Sequence, residues 1–226
     1  MALIINIDTA TETAVISLSE KDNIIDYVIN SNQKDHASFL HPAIKNLFQN
    51  ADLSILKLKA IAVTAGPGSY TGLRVGMAAA KGLCYALNIP LITINTLEVM
   101  ALSSIKQIQD SSALYCPLID ARRMEVFTAV YDKQLTEILK PCSMILEEAS
   151  FEEMLQTNKI YFSGSGAIKL KQLRDNYNAV FINNAMDPNA MAQLANKYYT
   201  TKNFSDIKYA SPMYLKEFYN PLNPEA

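Results

Sequence analysis

The 226-residue chain contains two histidines, three cysteines and four arginines, and each scarcity closes off a class of function. His36 and His41 are five residues apart. On a helix they diverge by about 140°, whereas a pair four apart diverges by about 40° and can share one ion. Pro42 follows directly, and no third histidine exists. A carboxylate would have to complete any metal site, so the plainer reading is a polar helix start with Asp35 or Ser38 near its cap. Cys84, Cys116 and Cys142 are odd in number and widely spaced, which gives neither a disulfide framework nor a CxxC motif. They read as free thiols in a reducing cytosol. With Arg74, Arg122, Arg123 and Arg174 as its only arginines and a net charge of −2, the chain is not expected to bind nucleic acid tightly alone. No basic region precedes the apolar run that meets Asp8, so the N-terminus reads as a strand rather than a signal peptide.

Glycine is also sparse, seven in all, yet four fall within residues 66–76, Gly-Pro-Gly-Ser-Tyr-Thr-Gly-Leu-Arg-Val-Gly. This stretch follows an apolar strand at 59–64 and opens a helix over about 70–88. A strand-to-helix turn presents free N–H groups at the positive end of a helix dipole, which favours anions. The spacing Gly66-x-Gly68-x-x-x-Gly72 is one residue too long for a dinucleotide fingerprint, and no lysine stands where a Walker loop needs one. A tight turn that seats a helix on a sheet fits equally. Glycine inside a helix costs about 1 kcal/mol relative to alanine, so Gly72, Gly76 and Gly82 need a compensating contact. Gly72, Gly76 and Ala80 are four apart and form one stripe. It meets either the domain's own sheet or another subunit; a membrane span is disfavoured by Arg74 and Lys81.

Periodicity predicts strands at about 3–8, 13–19 and 23–30, a helix at 37–49, the strand at 59–64, the glycine helix, and a strand at 91–94. After a helical connector from Thr96 the order begins again. Strands fall at 114–119, 125–131 and 134–139, then a helix at 147–156, a strand at 159–163, a helix at 166–175 and a strand at 179–182. Asp8 and Asp120 each end the first strand of a half. Seven residues later come Val15 and Phe127, each in a second strand. The fourth strands each meet a glycine turn, Gly66-Pro-Gly68 and Gly164-Ser-Gly166. These matches point to a duplicated unit: two mixed five-stranded sheets flanked by helices, residues 1–100 and 101–208, with a tail at 209–226 and a ligand cleft between them.

Four motifs carry a family resemblance: Asp8-Thr-Ala-Thr11, Gly66-Pro-Gly-Ser-Tyr-Thr-Gly-Leu-Arg74, Ile119-Asp-Ala-Arg-Arg-Met-Glu-Val-Phe127 and Pro212-Met-Tyr-Leu-Lys216. In this order and over nearly the whole chain they resemble the bacterial TsaB (YeaZ) family. The resemblance implies two ribonuclease-H-like domains of the actin-like ATPase (ASKHA) superfamily. It also implies a cytoplasmic, non-catalytic subunit acting with TsaD and the ATPase TsaE to make N6-threonylcarbamoyladenosine at position 37 of ANN-decoding tRNAs. The family sometimes carries transferase or glycoprotease labels.

In an actin-like ATPase, Asp8 would hold magnesium while Thr9 and Thr11 offered hydroxyls to phosphates. Gly66, Gly68 and Ser69 would complete the cleft candidates. Against this, no lysine follows Asp8, and Arg122, Arg123 and Met124 replace a phosphate clamp in the second half. No cofactor is expected to be required, beyond weak ATP or ADP binding in the complex. The interface is expected on the helices 37–49 and 70–88, through Gly72, Gly76 and Ala80, with a homodimer open to the lone chain and tRNA bound mainly through the complex. The rival reading is a stand-alone actin-like ATPase or small-molecule kinase.

Overall fold

The computed structural model describes residues 2–32, 35–173, 176–183 and 187–216. The first strand, β1 (Leu3–Asp8), is buried along its whole length because it lies at the middle of a sheet covered on both faces. β2 (Ala14–Glu20) and β3 (Asn23–Asn30) extend it antiparallel on one side. β4 (Leu58–Gly66) and β5 (Leu91–Asn95) extend it parallel on the other. β3 alternates half-buried and exposed residues, as an edge strand does. α1 (His36–Asn50) and α2 (Tyr70–Leu87) cover one face, where Leu40, Leu47, Met77 and Ala80 pack against Ile5, Ile7, Ile61 and Val63.

The second sheet repeats the topology. β6 (Leu114–Asp120) is central, with β7 (Glu125–Tyr131) and β8 (Glu137–Ile145) antiparallel on one side and β9 (Ile160–Ser163) and β10 (Ala179–Phe181) parallel on the other. The orders β3-β2-β1-β4-β5 and β8-β7-β6-β9-β10 are the same path. α4 (Glu152–Thr157) and α5 (Ala167–Leu173) follow β8 and β9, and their Leu155, Ala167 and Leu170 close the core of this half.

One helix joins the sheets. α3 (Thr96–Ile108) presents Val99 to Ile92 and Ile94 of the first sheet, and Leu97, Met100 and Ala101 to Ile119, Ala129 and Tyr131 of the second. α6 (Pro188–Thr200) lies within 101–208 in sequence, yet packs Ala190, Met191, Leu194 and Ala195 onto the first sheet, against Ile4, Ala60 and Ala62.

Several boundaries differ from the periodicity reading. β8 starts at Glu137, because residues 132–136 form a turn in which the Asp132 carboxylate accepts the N–H groups of Gln134 and Thr136. Pro141 is tolerated inside β8 because the strand is at the sheet edge. The helix expected from 147 begins at Glu152, after Phe151 takes a left-handed conformation with φ 63°. Of the helix expected over 166–175, the last two residues lie outside the described ones. α6 and a short 3-10 turn at Ile55–Lys57 had no counterpart in the reading. The duplicated Asp turns also differ by one residue. Asp8 pairs with Val15, whereas Asp120 pairs with Val126 rather than Phe127. Arg122 and Arg123, both left-handed at φ 71° and 49°, tighten the second turn.

Candidate functional site

Asp8 ends β1 beneath the glycine turn and is 1% exposed. Its Oδ1 accepts from the Ala10 N–H at 3.1 Å and the Thr64 hydroxyl at 2.9 Å, while the buried Oδ2 has no hydrogen-bond partner. Burial pushes its pKa from 3.8 up to about 6, against the two hydrogen bonds that favour the charged form. Asp8 lines a cavity of about 10 Å³ with Ser17, Val99, Asp187 and Met191, room for about one water. Asp187 caps α6 through the Asn189 N–H and pairs with Lys106 at 3.3 Å.

The glycine turn is stitched to the turn after Asp8. The Ser69 N–H donates to the Ala10 carbonyl at 2.6 Å, the Ser69 hydroxyl accepts from the Gly72 N–H at 3.3 Å, and the Thr9 hydroxyl donates to the Gly72 carbonyl at 2.7 Å. A Cβ on Gly68 would strike the Ala10 carbonyl, and one on Gly72 the Thr9 carbonyl. These glycines therefore admit another stretch of backbone. The groups that a Cβ would meet there are carbonyl oxygens. Gly66 has φ 114° and lies against Met213. Thr11 turns away and donates to the Thr13 carbonyl at 3.2 Å. Of the six cleft candidates, five come together around the Asp8 and glycine turns, and Thr11 does not join them.

The stripe expected to face another subunit faces inward. Gly72, Gly76 and Ala80 are buried, and a Cβ on Gly76 would meet the Thr9 hydroxyl, Ile7 and Val63. The helix needs glycine there because β1 and its turn approach so closely. The outer face of α2 instead exposes Ala78, Gly82 and Ala86, with nothing within 4 Å of a Cβ on Gly82. Arg74 stacks 3.9 Å from the Tyr70 ring centroid and donates from Nε to the Tyr214 hydroxyl at 3.1 Å.

In the second half, Asp120 is already partnered, accepting from Lys169 Nζ at 2.6 Å and the Arg122 N–H at 2.6 Å. Burial pushes its carboxyl up, but Lys169 and Arg122 outweigh that and hold it below its ordinary value. His36 is buried at 3% exposure beside the Glu12 backbone, whereas His41 is exposed. They face apart, as a separation of five predicts, but His36 is buried rather than part of a polar helix start. Asp35 makes no side-chain cap, and the Ser38 hydroxyl donates to its carbonyl. No group of three His, Cys, Asp or Glu among the described residues is placed to hold a metal ion. No described helix is long and apolar enough to cross a membrane.

Sequence reasoning missed Asp187, and it held Tyr214 only as part of the Pro212–Lys216 motif, without its contact to Arg74. Asp187-Pro188 carries the helix-start signal of an acidic cap before a first-turn proline, which could have located α6.

Residues 23–214 match the family model described as TsaD: tRNA N6-adenosine threonylcarbamoyltransferase. The chain is 36% identical over 128 residues to the tRNA threonylcarbamoyladenosine biosynthesis protein TsaB of Bacillus subtilis, covering 57% of this chain and 54% of that protein. It thus spans about half the length of that relative. The Haemophilus influenzae protein of the same name is 29% identical over 224 residues, covering 93% and 92%. A solved Pseudomonas aeruginosa structure, described as an uncharacterized protein with similarity to peptidase YEAZ, superposes with a TM-score of 0.84 at 20% identity, covering 96% and 100%. That likeness shows the fold.

Proposed function

The chain belongs to the family described as TsaD: tRNA N6-adenosine threonylcarbamoyltransferase, on its TsaB/YeaZ branch, and from that premise we propose that it is a non-catalytic subunit in tRNA threonylcarbamoyladenosine formation. It acts with TsaD and TsaE on position 37 of ANN-decoding tRNAs, in the cytoplasm. The observation that carries the non-catalytic reading is the filled glycine turn. The Ser69 and Gly72 N–H groups that would hold an anion already donate to the Ala10 carbonyl and the Ser69 hydroxyl, and Asp120 is tied to Lys169. A nucleotide at Asp8 would require the 10 Å³ cavity to open.

The partner-facing surface is the outer side of α2, where Ala78, Gly82 and Ala86 are exposed four apart and allow a close helix crossing. The docked partner supplies the reacting groups and most of the tRNA contact, in keeping with four arginines and a net charge of −2.

Co-purification with TsaD and TsaE and reconstitution of tRNA modification test the proposal. Asp8→Asn should leave the rate within a few-fold of wild type, and the chain alone should show no ATP turnover. A hundredfold loss with the fold intact, or steady hydrolysis by the lone chain, supports the rival ATPase reading, which the unpartnered Asp8 Oδ2 favours.

A further inference from the structure

Residues 205–216 run from the edge of the first sheet to the second. The Ser205 N–H donates to the Leu91 carbonyl at 2.8 Å, and Lys81 Nζ donates to the Ala210 carbonyl at 2.9 Å. The Met213 N–H then donates to the Ala65 carbonyl at 2.6 Å, beside Gly66. A Cβ on Gly66 would lie 2.7 Å from the Met213 carbonyl oxygen, so the glycine makes room for the strap. Tyr214 is pinned at the same place, its ring 5.4 Å from that of Tyr70 and its hydroxyl accepting from Arg74. Two residues later, Lys216 pairs with Glu125 at the start of β7, and the other Glu125 carboxylate oxygen accepts from the Ser143 hydroxyl.

The two attachments differ in kind. The one at Met213 and Tyr214 is a main-chain hydrogen bond beneath an aromatic and guanidinium stack. The one at Lys216 is an ion pair on a side chain that is 54% exposed. Away from the strap, the sheets are joined by α3, whose Leu97, Val99, Met100 and Ala101 are buried between them. Among the described residues the halves are tied through the packed helix α3, through Leu135, which packs against apolar clusters of both sheets, through the return of the chain into α6, and through a strap with a solvent-exposed tip. Both anchors of the strap lie beside the paired turns, one next to Gly66 and the other five residues after Asp120.

We propose that residues 211–216 are a latch. Met213 and Tyr214 remain on the first sheet while the Lys216–Glu125 contact makes and breaks, setting the angle between the two sheets across the Asp8 and Asp120 turns. A Lys–Glu pair open to solvent on its lysine side, with the Glu125 side chain 17% exposed, shifts such an equilibrium by about two- to five-fold and is screened by salt. A contact of that strength can be broken without disturbing the anchor at Met213 and Tyr214.

The test is a distance distribution between spin labels on Lys57→Cys and Glu153→Cys, both exposed, in a full-length chain whose Cys142 is replaced by Ser; Cys84 and Cys116 are buried. At low salt, Glu125→Gln and Lys216→Gln should each raise a second population about two- to five-fold, with the double variant no further changed. Adding about 0.5 M NaCl should reproduce the change in the chain that keeps both residues and leave the variants unaffected. Unchanged distributions, a change in only one single variant, or additive effects in the double variant would overturn the latch. Should either variant fail to fold, the salt titration decides by itself: a salt-independent distribution refutes the proposal.

Discussion

Thr9 and Gly76 share one space, the hydroxyl of the first lying where the side chain of the second would begin. That hydroxyl is fixed by its hydrogen bond to the Gly72 carbonyl and cannot swing away without breaking it. Gly76→Ala is therefore expected to overpack, at a cost of about 1–3 kcal/mol, partly offset by about 1 kcal/mol of helix propensity. For a chain of this length each lost kcal/mol lowers Tm by about 2–4 °C. The net cost of about 0–2 kcal/mol lowers Tm by at most about 8 °C in a thermal melt, and Gly76→Leu should not fold. A raised Tm in Gly76→Ala, or a folded Gly76→Leu, would mean that the stripe does not pack on its own sheet.

Gly82 makes the opposite case on the same helix. Open space surrounds a Cβ there, so Gly82→Ala keeps only the propensity gain of about 1 kcal/mol. Tm should rise by about 2–4 °C. Gly82→Leu should also stay folded, yet lose co-purification with TsaD, because a branched side chain holds a crossing helix away. A Gly82→Leu chain that still binds TsaD normally would place the docking surface elsewhere.

Asp8 sets a pH dependence of stability. Its pKa is 3.8 when exposed and about 6 in the fold. Below pH 3.8 both states hold the proton and Asp8 contributes nothing. Between 3.8 and 6 the unfolded chain releases its proton first, so stability falls as pH rises. Above 6 the full cost of about 3 kcal/mol is present. Urea unfolding at pH 4.5 and 7.5 should show about 2 kcal/mol of this loss in the unmodified chain, because about 1 kcal/mol is already present at pH 4.5, and none of it in Asp8→Asn. Equal pH dependence in the two would mean that Asp8 is not desolvated as described.

The thiols should separate by burial. Burial pushes Cys84 and Cys116 up to about 12, which leaves almost no thiolate at pH 8. A disulfide reagent should modify at most Cys142 in the folded protein and all three cysteines in denaturant. Rapid native labelling of Cys84 or Cys116 would show that α2 or β6 opens locally.

The duplicated order of strands and helices was legible because each half alternates strand and helix periods with turn residues between. The glycine helix was legible too, but which way its stripe faced was not. Small residues four apart suit a sheet and a partner helix equally, and only the position of Thr9 decides between them. The paired Asp residues were found, while their one-residue offset depends on two consecutive left-handed arginines that periodicity does not register. α6 was missed because its buried side is mostly alanine, a weak hydrophobic signal. The proximity of Tyr214 to Arg74 spans 140 positions and leaves no local trace.

α6 also orders events during synthesis. The face of the first sheet formed by Ile4, Ala60, Ala62 and Ile92 receives Ala190, Met191 and Leu194 as part of its cover. A ribosome adding about 5–20 residues per second needs roughly 5–20 s to pass from β5 to the end of α6. For that interval the growing N-terminal half carries an apolar surface that α3 covers only in part, and its first core is completed only when α6 arrives.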